Sequence, residues 1–118
     1  MNILNLTQHR ASLDQKKVGV IDLQDEHIKA LKELLNFTEV PAQIDLEVRS
    51  FELVRMITEN YSSKRVMIGG APFFMSHLER ELKAVNIQPL YAFSKRVVSE
   101  KDGVKTSTFQ HEGFVKVK

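Results

Sequence analysis

Residues 66–74 read V-M-I-G-G-A-P-F-F, an apolar stretch that runs directly into two glycines and a proline. The first three residues have the apolar, β-branched character of a short buried strand. Gly69 and Gly70 give the backbone the freedom to turn tightly, and Pro72 is a residue type that suits the first turn of a helix. The stretch therefore predicts a strand, a glycine turn and a helix, which is the building unit of α/β folds.

The residues that follow extend this unit. A helix is predicted to start near Phe73, since apolar residues recur at helical spacing and charged residues occupy the opposite face. Asn86 is suited to end this helix, and residues 87–93 then form another apolar strand. Residues 65–93 thus predict a strand, helix, strand unit with a right-handed crossover between parallel strands. The apolar face consists of Met75, Leu78, Leu82 and Val85.

The residues before this unit contain a further strand and a helical turn. Residues 2–7 predict a buried first strand, and Ser12 with Gln15 three positions later predicts a capping box for a short helical turn. Residues 18–23 then have the composition of a short extended segment.

Two longer helices are predicted next. Asp25 begins one that ends near Asn36, and Pro41 is suited to the first turn of the other. A stripe at a spacing of three to four predicts the buried face of the second helix. Its members are Ile44, Val48, Phe51, Val54, Ile57 and Tyr61.

The last quarter of the chain has a different pattern. After Ser94, alternating residues are separated by turn signals at 101–103 and 111–113, and residues 114–117 resemble a final strand. This region predicts an antiparallel meander. The whole chain, residues 1–118, is therefore predicted to form one α/β domain: a small Rossmann-like three-layer domain of parallel strands with a C-terminal antiparallel meander.

Composition narrows the function. The 17 basic and 15 acidic residues are mixed along the chain and give a net charge of +2, which disfavours binding to duplex nucleic acid. The absence of cysteine excludes disulfides, thiolate metal sites and cysteine nucleophiles. No segment has the pattern of a signal peptide or a membrane helix, so we expect a cytoplasmic protein with no membrane partner.

Three polar segments follow predicted strands, at residues 7–10, 69–72 and 94–96. In open parallel sheets, ligands bind beyond the carboxyl ends of the strands, where loops and helix N-termini converge. We therefore expect these three segments to meet at one edge of the sheet. Such a convergence predicts a site for a nucleotide or another phosphate-containing ligand.

The glycine turn supplies backbone donors to this predicted site. Amides at Gly69, Gly70 and Ala71, with the positive end of the following helix, are suited to an anion. The segment matches neither the Walker loop nor the dinucleotide fingerprint, and a plain tight turn explains the glycines about as well.

Side chains complete the predicted site. Thr7 and Gln8 are candidate ligand-binding residues, as is Ser94, while Arg96 can grip a phosphate bidentately. His9 is the candidate general acid or base, since its pKa lies near neutrality when unperturbed. Surface roles for the histidine and for the 94–96 segment are the alternatives. No spacing typical of a metal site is present, so we predict no metal and no cofactor.

Three segments of the chain resemble those of a group of small uncharacterised bacterial and phage proteins. The shared segments are Thr7-Gln8-His9, residues 69–73 (Gly-Gly-Ala-Pro-Phe) and residues 91–96 (Tyr-Ala-Phe-Ser-x-Arg). In layout the chain is also similar to the Rossmann-like ring nucleases linked to CRISPR systems. That similarity implies a homodimer that cleaves a cyclic oligonucleotide without metal, with His9 and Arg96 as catalytic residues.

Two hypotheses of function follow. The first is binding of a nucleotide-like ligand, with or without cleavage. The second is a non-enzymatic phage or defence accessory protein whose C-terminal meander adds a strand to a partner protein.

Overall fold

The computed structural model describes residues 2–118, which form a five-stranded sheet with helices packed on it. This is the Rossmann-like α/β fold that the sequence predicts. The strands are β1 (Ile3–Leu6), β2 (Val20–Asp22), β3 (Arg65–Ile68), β4 (Gln88–Lys101) and β5 (Val104–Lys116). The helices are α1 (Leu13–Lys17), α2 (Asp25–Leu35), α3 (Gln43–Asn60) and α4 (Pro72–Ala84).

The order of the strands in the sheet is β2-β1-β3-β4-β5. The first four strands are parallel, and β5 pairs with β4 in the antiparallel sense. From β1 the chain goes to β2 on one side, whereas β3 and β4 lie on the other side. The carboxyl ends of β1 and β3 therefore form the topological switch point of the sheet, the place where open α/β sheets bind ligands.

The main core lies between the sheet and three of the helices. Leu4 and Leu6 of β1 and Val66 and Ile68 of β3 are buried against apolar residues of α2, α3 and α4. The alternate residues of the strands, with Ala11, form a smaller cluster on the opposite face. α1 lies beside that cluster and begins with the predicted capping box: the Gln15 amide donates to Ser12 Oγ at 3.1 Å, and the Ser12 amide donates to Gln15 Oε1 at 3.0 Å.

The buried face of α3 differs from the prediction. Val54 and Ile57 are buried as expected, but Ile44, Val48 and Phe51 are exposed. Two apolar stripes overlap on this helix, and the stripe that joins the main core starts at Leu46 instead. The buried residues of α3 are Leu46, Ser50, Leu53, Val54 and Ile57. Pro41 also lies outside the helix, which begins at Gln43 after the N-cap Ala42.

The predicted C-terminal meander is a single long hairpin. β4 does not end at Phe93 but continues to Lys101, and β5 runs without a turn through residues 111–113. The glycine and polar residues there form a β-bulge, since Phe93 pairs with Gly113 while Ser94 pairs with His111. Only the turn at Asp102 and Gly103 is confirmed; their φ angles of 53° and 77° are those of a type I′ hairpin turn.

The hairpin projects from the rest of the fold. Every residue in 92–110 is exposed, and over this stretch β4 and β5 pair only with each other. The radius of gyration is 15.8 Å, whereas a compact chain of this length has one of about 13.5 Å. We call residues 92–113 the arm. Among the described residues, no helix is long and apolar enough to cross a membrane.

Candidate functional site

A cavity of about 580 Å³ lies at the carboxyl ends of β1 and β3, beside Tyr91 and Ala92 of β4. The loop after β1 and the glycine turn after β3 form its polar part, and α1 contributes Gln15. The sequence-predicted residues that line it are Thr7, Gln8, His9, Gly69 and Gly70, and the other lining residues are Arg10, Gln15, Met67, Ile68, Tyr91 and Ala92. The cavity therefore joins two of the three predicted polar segments at the switch point.

The glycine turn brings the two loops into contact. A Cβ atom added at Gly69 would lie 3.4 Å from Thr7 Cγ2, so the turn packs closely against the loop after β1. Gly70 has a φ of 155°, a conformation that side chains rarely adopt, and a Cβ there would lie 3.3 Å from Met75 Cε. The backbone thus favours glycine at Gly70, in agreement with the tight-turn interpretation, and the absence of a side chain at both glycines leaves the backbone open beside the cavity.

Helix α4 begins directly after this turn. Its N-cap is Ala71, which makes no side-chain hydrogen bond to the first turn, and Pro72 occupies the first turn. No acidic side chain lies in that turn. The positive end of the α4 dipole therefore has no internal anionic partner there, which favours an external anion.

A buried polar side chain, Asn5, holds the loop after β1 in place. Its Nδ2 donates to the His9 carbonyl at 2.7 Å and to Asp22 Oδ1 at 2.8 Å. Its Oδ1 accepts from the Thr7 amide at 2.9 Å and from Thr7 Oγ1 at 2.7 Å. Asn5 is only 3% exposed, so these four bonds satisfy all of its hydrogen-bonding groups without solvent.

Asp22 at the end of β2 supports the same loop from the other side. Its carboxylate accepts the Ala11 amide at 3.0 Å, in addition to the bond from Asn5. Burial alone would raise the pKa of Asp22, but the hydrogen bonds from Asn5 and Ala11 and the charges of Lys16 and Arg10 outweigh it. The net pKa is below its ordinary value, so the carboxylate is ionised at neutral pH.

Arg10 is the cation at the cavity. Its guanidinium is 67% exposed and lies 3.9 Å from Asp22 and 3.4 Å from Asp25. The pair with Asp25 is exposed and therefore weak, and the contact with Asp22 is long, so the guanidinium can exchange them for a stronger bidentate contact. His9 is also exposed at the cavity, while Gln8 Nε2 donates to the Leu35 carbonyl at 3.3 Å.

The remaining predicted site residues lie elsewhere. Ala71 is the N-cap of α4 and is not among the residues that line the cavity. Ser94 and Arg96 lie inside β4, in the arm, because the strand does not end where the sequence predicts. Arg96 Nε donates to Ser107 Oγ at 2.7 Å across the hairpin. The structure thus brings together the residues of the first two segments and separates those of the third.

Asn5, Asp22 and Gln15 are site residues that the sequence analysis did not assign to the site, whereas Arg10 belongs to the predicted 7–10 segment but was given no role of its own. Asn5 carried a signal, since a polar residue between Leu4 and Leu6 in a buried strand needs partners. Tyr91 also lines the cavity, and its hydroxyl donates to Glu79 Oε2 at 2.6 Å; burial and this contact raise the pKa of Tyr91. No group of three or more potential metal-ligating side chains occurs among residues 2–118.

Comparison with known proteins places the chain in a family. Searches of the curated proteins and of the solved structures gave no significant match. The model of the Uncharacterized protein MJ1673 family matches residues 1–115, which is nearly the whole chain. The chain therefore belongs to this uncharacterised family.

Proposed function

We propose that the chain binds a nucleotide or another phosphate-containing small ligand in the cavity at the switch point. The observation that carries the proposal is that the glycine turn and Arg10 line one cavity at the switch point, with α4 starting directly after the glycine turn. Each of these groups favours a negative charge.

The size of the cavity agrees with such a ligand. A volume of about 580 Å³ lies within the range of small-molecule sites in proteins. The lining combines polar loop residues with the apolar side chains of Met67 and Ile68. Phosphate oxygens would accept from the amides of the glycine turn and from Arg10, while an apolar part of the ligand would contact the strand ends.

We extend the proposal to metal-independent cleavage of a cyclic oligonucleotide, on the basis of the resemblance to ring nucleases that the sequence suggests. In that reaction a ribose 2′-hydroxyl attacks the adjacent phosphorus and the bond from phosphorus to the 5′ oxygen breaks, leaving a 2′,3′-cyclic phosphate and a 5′-hydroxyl. His9 would accept the proton of the attacking hydroxyl, and the leaving oxygen would take a proton from water. Arg10 and the glycine amides would stabilise the added charge on the phosphate.

Ligand binding is tested by thermal unfolding with mono-, di- and cyclic oligonucleotides, followed by chromatography for products in the presence of a chelator. A ligand at 100 times its dissociation constant adds about 2.7 kcal/mol of stability, a shift of several degrees for a domain of this size. We expect Arg10→Ala to remove the shift, and His9→Ala to keep the shift but remove any product.

The matched control is Arg96→Ala, which removes the same charge from the arm. We expect this variant to keep the shift. Loss of binding in Arg96→Ala but not in Arg10→Ala would contradict the assignment of Arg10 and restore the role that the sequence predicts for Arg96. If none of the nucleotides shifts the unfolding temperature of the unmodified chain, the proposal is wrong.

The arm favours a second candidate function, that of a phage or defence accessory protein which acts by protein interaction. The apolar side chains of Val104 and Phe109 are 62% and 76% exposed, and neither contributes to the core. Exposed apolar side chains on a projecting element are typical of binding surfaces. This candidate predicts that substitutions at Val104 and Phe109 abolish capture of a partner, whereas substitutions at the cavity do not.

A further inference from the structure

The outer edge of β5 is an unpaired strand edge, which favours binding of another extended strand over other kinds of partner. β5 is the last strand of the sheet, so one side of it presents backbone amides and carbonyls that have no strand beside them. Within the described chain, no backbone hydrogen bond outside the β4–β5 ladder involves residues 104–113. Unpaired strand edges are templates for another strand.

Proteins normally protect such an edge, and here the usual devices are missing from its middle. Residues 106–111 read T-S-T-F-Q-H and contain no lysine, arginine, acidic residue, proline or glycine. Lys105 lies before this segment, and the bulge near Gly113 lies after it. We call residues 106–111 the edge segment. Its threonines and phenylalanine favour strand pairing, and nothing within it opposes that pairing.

We propose that the edge segment pairs with the edge segment of a second copy of the chain, antiparallel and across a two-fold axis. A second copy presents the same row of unpaired groups, and a two-fold axis makes one surface complementary to itself. Because the edge segment has no charged side chain, no like charges face each other when it pairs with itself. The paired dimer joins the two sheets into one of ten strands.

Phe109 supports the same arrangement. It is 76% exposed, and its strand has a paired neighbour on only one side. Pairing with a second edge segment gives its ring a cross-strand neighbour, and aromatic side chains stabilise such pairs. Unlike the ligand site, this surface uses no residue that lines the cavity.

The test is analytical ultracentrifugation of the full chain over a series of protein concentrations. We expect a monomer–dimer equilibrium, and we expect Thr106→Lys/Thr108→Lys to raise the dissociation constant of the dimer by about tenfold or more, because lysines on the edge oppose pairing.

The chain offers a matched control for this variant. Ser99 pairs with Thr106 and Val97 pairs with Thr108, so Val97→Lys/Ser99→Lys adds the same two charges at the same height, one strand in from the edge. We expect this control to dimerise as the unmodified chain does. The proposal is overturned if the unmodified chain is monomeric throughout, or if the two variants change dimerisation equally.

Hydrogen exchange gives a second readout that does not depend on a variant. The outward-facing amides of the edge segment should exchange more slowly as protein concentration rises, while those at the tip of the hairpin should not change. Exchange in the edge segment that is independent of concentration in the dimer range would also overturn the proposal.

Discussion

Strand β4 belongs to two regions of very different character. Its first residues, around Pro89 and Leu90, are buried between β3 and β5, whereas all of its residues from Ala92 to Lys101 are exposed. Both halves pair with β5. The difference shows that strand pairing alone does not make a core. The stability of this fold lies in the residues outside the arm, which we call the body, while the arm contributes accessible surface.

The largest expected difference between the two regions is the change in the free energy of unfolding when an aromatic residue is replaced by alanine. Phe74 on α4 is 0% exposed and Phe109 on the arm is 76% exposed. We expect Phe74→Ala to lower the free energy of unfolding by about 3–5 kcal/mol. We expect Phe109→Ala to change it by less than about 0.5 kcal/mol. Urea denaturation at low protein concentration measures both, and similar losses would break the comparison.

The next largest expected difference is the loss of stability when a hydrogen-bonding side chain is removed from each region. Asn5 makes four buried bonds that hold the loop of the candidate site, while Ser107 accepts one exposed bond from Arg96. Asn5→Ala should cost about 1–3 kcal/mol, because it leaves buried groups without partners. Ser107→Ala should cost less than about 0.5 kcal/mol. If Asn5→Ala costs no more than Ser107→Ala, the Asn5 bonds do not stabilise the body.

The smallest effect is a dependence on pH. The folded pKa of Asp22 is below the ordinary value of 3.8, so its contribution to stability is complete above that value. The contribution is lost as pH falls through the folded pKa. Urea denaturation from neutral pH down to acid pH should therefore show a steeper loss in the unmodified chain than in Asp22→Asn.

The control for this experiment removes a carboxylate from the other region. Glu100→Gln changes an exposed residue of the arm and should leave the acid dependence of the unmodified chain in place. An equally steep loss in Asp22→Asn would show that Asp22 does not produce the effect.

The sequence predicted the fold well where a pattern had one solution. Residues 66–74 form the predicted strand, turn and helix start, and Asn86 ends α4 with a φ of 61°. The pattern failed on α3, because Ile44 and Leu46 begin two overlapping apolar stripes and only packing into the main core decides between them. A sequence period defines the faces of a helix, but the buried face depends on tertiary packing.

The candidate site was predictable in part. The loop after β1 and the glycine turn meet as the rule for strand ends requires, and both line one cavity. The third segment did not join them. Polar residues begin at Ser94, but the strand β4 continues through them to Lys101 instead of ending there. Polar side chains on an exposed two-stranded ladder have the same sequence pattern as a loop. Asn5 was missed because the pairing of β1 with β2 brings it to Asp22, and because its bonds to Thr7 and His9 depend on the conformation of the loop after β1.

The tight turn at Asp102 and Gly103 also bears on how the chain folds. It joins two strands that are adjacent in sequence, so the hairpin closes a short loop, which takes microseconds in peptides. The central pairing of β1 with β3 instead joins Leu4 to Val66, across more than half of the chain. Contacts so distant in sequence slow folding. The arm can therefore form while the body is still disordered, and its uncharged edge would then be open to other chains before the body is complete.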